Sequence, residues 1–259
     1  MTRRPALIAG TAVAVLAALF STACKSESKP LTAEQAESLA QAGLLTQEDL
    51  PSAEWTVTDG PTTDGEQGDG PPDANTLFAD TEACRDLEAA INAAGFSTAD
   101  AAEDAPLAET ERSFDFDGGD SLVARSVQSS IAVPQDPKEI ETGFEALRKV
   151  MTADGVRPCF ESAFTESLGG EESGVTISSI EVTDIEKVTE DGVAIGLDLQ
   201  AVAFIIPINL HMEMHMWPEG PAAGQLMIME LNSETLKDAS ADIREAARTR
   251  LAEAVKANK

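Results

Sequence analysis

Both histidines of this chain lie in one six-residue run, His211-Met212-Glu213-Met214-His215-Met216. Side chains alternate faces along a strand, so His211, Glu213 and His215 would share one side and Met212, Met214 and Met216 the other. Imidazole and carboxylate suit zinc or copper(II), and a row of thioethers suits copper(I). Alternate strand residues stand roughly 7 Å apart, which is wide for three ligands on one ion unless the backbone bends. The simpler expectation makes the methionines core, packed under helices, with the His-Glu-His side solvated or paired to neighbouring strands. On that expectation His211→Ala and His215→Ala leave stability nearly unchanged. A copper or zinc site built from His211, Glu213 and His215 is the alternative.

The cysteines carry the second chemical signal. Arg3 and Arg4 precede an apolar run, Ala6–Phe20, which is too short for a membrane-spanning helix of roughly 20 residues and suits a secretory signal. Ser21-Thr22-Ala23-Cys24 ends that run in the manner of a bacterial lipobox, in which the thiol is acylated and becomes the mature N-terminus. Ser21 departs from the usual aliphatic residue three positions before the cysteine, and an ordinary signal peptide cut after Ala23 is the competing reading. Acylation at Cys24 would hold the chain to the outer membrane face, in an oxidising compartment. Cys84 and Cys159 then form an even pair, most simply one disulfide and otherwise two buried thiols.

Other chemistry has little to build on. The sequence contains no G-x-S-x-G, H-E-x-x-H or P-loop pattern and no EF-hand loop, and an enzyme is not expected. Arg125 interrupts the apolar side of its strand, so it either sits at an edge, finds an ion partner, or clamps an anionic ligand. The formal charge is −28, and losing Arg3 and Arg4 with the signal takes it to −30. Such a surface repels nucleic acid and anionic headgroups. The chain has no Tyr and few other aromatics, which argues against a sugar-binding cleft.

The elements that must position these residues follow from caps and periodicity. The expected organisation is a signal over 1–23, a spacer over 24–30, and one domain over 31–259 with loops near 60–76 and 97–110. Thr32 and Gln35 make a capping box for a helix to about Leu45, and Trp55 with Val57 suggests a short strand. Cys84, Leu87, Ile91 and Ala94 share a helical face. The main body should begin near Arg112, with strands around a turn at Asp117-Gly118-Gly119-Asp120. Asp136-Pro137 opens a helix with Ile140, Phe144, Leu147 and Met151 buried, Gly155 ends it, and a shorter helix starts at Pro158. Val175–Val188 reads as a strand and Asp191-Gly192 as a hairpin turn. Val193–Trp217 is too long for one strand and must turn between Leu199 and Pro207. A turn over Pro218–Gly224, a strand over Leu226–Leu231 and a helix from Ser233 to about Lys256 complete the chain. The fold class is α+β: an antiparallel meandering sheet with helices packed against it and one disulfide.

Leu44-Leu45-Thr46-Gln47-Glu48-Asp49-Leu50-Pro51 followed by Trp55 resembles the entry of actinobacterial surface lipoproteins. Ile131-Ala132-Val133, leading through Pro137, Phe144 and Leu147 to Pro158-Cys159, is similar to the strand, helix and cysteine of the extracellular sensor domain of the mycobacterial kinase PknH and related lipoproteins. The resemblance covers roughly Leu31–Val255, with one cysteine pair here where the kinase sensor has two. It implies a sensor-like domain that binds a small-molecule ligand or an envelope protein, with no catalytic residues and no cofactor. The expected protein is therefore a non-enzymatic binding lipoprotein at the cell membrane, on its extracytoplasmic face.

Overall fold

A computed structural model describes residues 31–258, except 52–53, 61–83, 96–105, 118–121, 169–174 and 186–191. The signal and spacer, most of the two expected loops, the turn centred on Gly118-Gly119, and Asp191 of the second hairpin turn lie outside the described residues.

Local chemistry starts the helices where the caps are. Helix α1 (Ala33–Gly43) begins with Thr32 and Gln35 in the reciprocal capping box and buries Ala36, Leu39 and Ala40. A short 3-10 turn, Gln47–Asp49, follows. Strand β1 is Thr56–Asp59, and α2 (Arg85–Ala93) carries Leu87, Ala90 and Ile91 inward. Strand β2 (Ala108–Asp117) starts earlier than Arg112, because Ala108, Glu109 and Thr110 already pair with Val133, Ala132 and Ile131 of β3 (Ala124–Val133). Helix α3 (Pro137–Val150) has the Asp136 cap and proline entry, and it buries Ile140, Phe144 and Leu147. Helix α4 (Ala153–Leu168) begins before Pro158, and Gly155 sits in its first turn rather than ending α3. The Thr152 hydroxyl accepts from the Gly155 N–H, and the Asp184 carboxylate accepts from the Ala153 N–H, so two otherwise orphaned donors find partners.

Strands β4 (Val175–Asp184), β5 (Val193–Ala203), β6 (Ile206–Glu219) and β7 (Ala222–Leu231) form a continuous meander, and α5 (Thr235–Ala257) follows. The expected turn inside Val193–Trp217 falls at Phe204-Ile205, closed by the Ala203–Ile206 pair. Phe204 adopts φ 58°, a left-handed conformation that favours glycine or asparagine. The β6–β7 turn is tighter than Pro218–Gly224: both strands run up to Gly220, itself at φ 58°, and Pro221.

The seven strands lie in the order β1-β2-β3-β7-β6-β5-β4, every neighbouring pair antiparallel. The connection from β3 runs through α3 and α4 to the far edge at β4 and so covers one face of the sheet. There α2, α3 and α4 bury Phe144, Phe160, Leu197, Met212, Met214 and Met216 in one core. On the other face α1 and α5 enclose a second core around Phe114, Ile131, Trp217, Ile228 and Leu251. Leu31–Lys259 forms one compact unit, and no described helix is long and apolar enough to cross a membrane.

Candidate functional site

Register decides what surrounds the histidines. His211 of β6 stands opposite Asp198 of β5 and Glu230 of β7; Glu213 stands opposite Gly196 and Ile228; His215 stands opposite Ala194 and Leu226. The methionines point the other way and are buried in the core under α2, α3 and α4, as alternation requires. The histidine side is not solvated. His211, Glu213 and His215 are all buried, His215 completely. His211 is paired to Asp198 of the neighbouring β5, one of the two environments expected, but α5 covers this face of the sheet and the histidines are buried, which argues against silent histidine substitutions.

The three groups form a seam centred on the Glu213 carboxylate. His215 Nε2 lies 2.8 Å from Glu213 Oε2, His211 Nε2 lies 3.2 Å from Glu213 Oε1, and His211 Nδ1 lies 2.8 Å from Asp198 Oδ1. Both ring nitrogens of His211 therefore face carboxylate oxygens, which accept only; donating to both requires the doubly protonated ring. Burial alone would disfavour that charge, but hydrogen bonding to Glu213 and Asp198 and their negative charges outweigh it, raising the His211 pKa above its ordinary value. Burial likewise opposes ionisation of Glu213, yet the hydrogen bonds from His211 and His215 hold its carboxyl far below the usual range. His215 goes the other way: burial, with Arg244 and Arg248 adding to it, pushes its pKa down against the pull of Glu213. So His215 is neutral, donates through Nε2, and leaves a buried Nδ1 with no hydrogen-bond partner. The seam ends in water at Asp198, where Lys237 of α5 donates to the same oxygen that meets His211.

A second buried acid sits beside it. Glu230, fully buried, accepts from the Leu236 and Lys237 N–H groups at the start of α5 and from Arg125 Nε at 3.2 Å. This settles Arg125: its guanidinium is ion-paired with Glu230, also donates to the Ser233 hydroxyl, and lies 4.7 Å from the Phe116 ring centre. Residue 234, a glutamate, makes no side-chain cap for α5, and the carboxylate of β7 does that work across the turn.

The sequence brought forward His211, Glu213 and His215 but missed Asp198 and Glu230 under α5 and, on α5 itself, the buried Ser240, which hydrogen-bonds Glu213. A lone acid in the apolar run Met227-Ile228-Met229-Glu230-Leu231, just before the expected helix, was the available signal. Among the described residues, no group of three or more His, Cys, Asp or Glu side chains is placed to hold a metal ion. The seam can hold protons and clamp α5 to the sheet. Cys84 and Cys159 form a disulfide with Cα atoms 4.6 Å apart, joining the start of α2 to α4; Cys24 lies outside the described residues.

No family model matches the sequence, and no curated protein is significantly similar to it. Among solved structures, the extracellular domain of PknH from Mycobacterium tuberculosis aligns with 85% of this chain and 98% of its own, at 7% identity and a TM-score of 0.43. PA94, a Pseudomonas aeruginosa protein of unknown function, aligns with 55% of this chain and 82% of its own, at 15% identity and a TM-score of 0.27. Likenesses this distant carry no functional argument.

Proposed function

We propose that this protein is a lipid-anchored, extracytoplasmic binding module without catalytic activity, serving a small-molecule ligand or an envelope protein in a sensor-like role. The observation that carries this reading is the Cys84–Cys159 disulfide, which belongs to an oxidising compartment and stands behind the signal and lipobox pattern ending at Cys24. The non-catalytic part is supported by the fate of the two imidazoles. They are the chain's best general acid–base groups, and both are buried and bound to carboxylates. Cys24→Ser tests the anchor: the unaltered protein should incorporate labelled palmitate and partition into detergent, while the variant should be released or left unprocessed. Equal solubility of the two defeats the reading. A metal-handling role would require His211, Glu213 and His215 to exchange their mutual hydrogen bonds for a cation. Zinc or copper binding at micromolar strength that disappears in His211→Asn or His215→Asn would put that role in place of the binding module.

A further inference from the structure

The β5–β6 hairpin extends past its neighbour. Residues 206–208 of β6 have no partner on β7, which ends opposite Leu210, and Asn209 is held by Asn232 just past β7, so the arm beyond Asn209 pairs only with β5 and, through it, β4. At its tip Phe204 is 81% and Ile205 91% exposed, with Val202 and Ile206 exposed beside them and Pro207 next in line. No ionisable residue occurs from Leu199 to Leu210, in a chain whose formal charge is −28. The turn is also built against local preference. A two-residue hairpin loop with a left-handed first position calls for glycine or asparagine, and here a phenylalanine is held at φ 58° with its ring in water. Neither core uses that ring. Strain kept at an exposed apolar tip points to a use outside the fold.

We propose that the Phe204-Ile205 tip inserts into the lipid bilayer as a second membrane attachment, and this rests on the Cys24 anchor proposed above. Three observations favour lipid over a protein surface. A convex, uncharged tip needs no complementary pocket in an acyl layer, whereas a second copy would have to offer a recess. The spacer Lys25–Pro30 spans at most about 20 Å when extended, so a chain acylated at Cys24 keeps its domain against the bilayer and the tip at high effective concentration there. The start of the domain lies at the other end of the sheet. Gln41 bonds Thr110 and, four residues on, Leu45 bonds Ser129 opposite Arg112, so α1 advances toward the hairpin end and begins far from it. Two attachments at opposite ends would lay the strands along the membrane plane.

The test uses the full mature protein carrying Phe204→Cys. With Cys24 acylated and Cys84 bonded to Cys159, the new thiol is the single free one, and it takes an environment-sensitive fluorophore. In phosphatidylcholine vesicles the probe should brighten severalfold and be quenched by nitroxides in the acyl chains, while the same probe at exposed Thr58 of β1 should not. Phe204→Gly, which suits the turn better, combined with a probe at Ile205 should lose most of the quenching. Mass spectrometry of the N-terminal peptide reads the anchor separately. Acylated Cys24 with a water-exposed probe overturns the hairpin proposal and leaves the anchor standing. If Cys24 proves unacylated, the same variant carrying Cys24→Ser restores a single labelled thiol: a quenched probe then supports the hairpin alone, and protein free of vesicles overturns both. Brightening that depends on protein concentration without lipid assigns the tip to a second copy and overturns the lipid proposal.

Discussion

At the scale of single residues, the Glu213 carboxylate links two imidazoles in opposite protonation states, and pH should report both. The raised His211 pKa stabilises the fold fully below the unfolded histidine value of about 6.5, and this contribution is lost as pH rises through the folded value. The lowered pKa values of His215 and Glu213 act on the acid side. Their contributions are present above the unfolded values and are lost as pH falls toward the folded ones. Urea midpoints should therefore peak near neutrality, and His211→Asn should remove the alkaline fall while keeping the acid one. His215→Ala leaves a cavity and an under-bonded buried acid, and it should cost about 2 to 4 kcal/mol in denaturant unfolding. Across the sheet Met214→Ala should cost about 2 to 5 kcal/mol by the same measurement, as buried large-to-small changes do.

At the scale of elements, α5 is held at its start by an acid from another strand. Glu230→Ala removes the acceptor for two N–H groups and strands Arg125, so the expected loss is about 3 to 5 kcal/mol. In that variant hydrogen exchange should show the first turn of α5 opening before its last. The capped helices were legible in the sequence because Thr32, Gln35, Asp136 and Pro137 act within one turn of themselves. The β5–β6 turn was legible only as a length limit, since Ala203-Phe204-Ile205-Ile206 contains none of the usual turn residues. The burial of the His-Glu-His side was not legible. It depends on α5 folding back over β6 and β7, a contact that strand periodicity cannot report. Gly143 is a similar case: read locally it weakens α3, but a Cβ there would overlap the Ala93 carbonyl of α2.

At the scale of the whole molecule, one shared sheet unites the three layers, and the disulfide ties α2 to α4 within one of them. The Cys84–Cys159 bond closes a loop of 75 residues, for which chain entropy predicts roughly 4 kcal/mol of stabilisation. Reduction, or Cys84→Ser with Cys159→Ser, should lower the unfolding midpoint accordingly. Peptide mapping without reductant should recover the two cysteines linked, and two free thiols in exported protein would contradict this.

The pairing of β3 with β7 has a consequence for the order in which the protein is made. Arg125 and Glu230 meet across 105 residues of sequence, and that seam is what joins β1, β2 and β3 to the rest of the sheet. For a chain emerging N-terminus first, β3 has only β2 to pair with until almost the whole sequence has appeared, and its other edge stays open meanwhile. Contacts of such long span make folding slow and leave an unpaired strand available to wrong partners. Arg125, Ser126, Gln128, Ser129 and Ser130 interrupt the apolar residues of β3, making it a less adhesive template than an all-apolar strand during that wait.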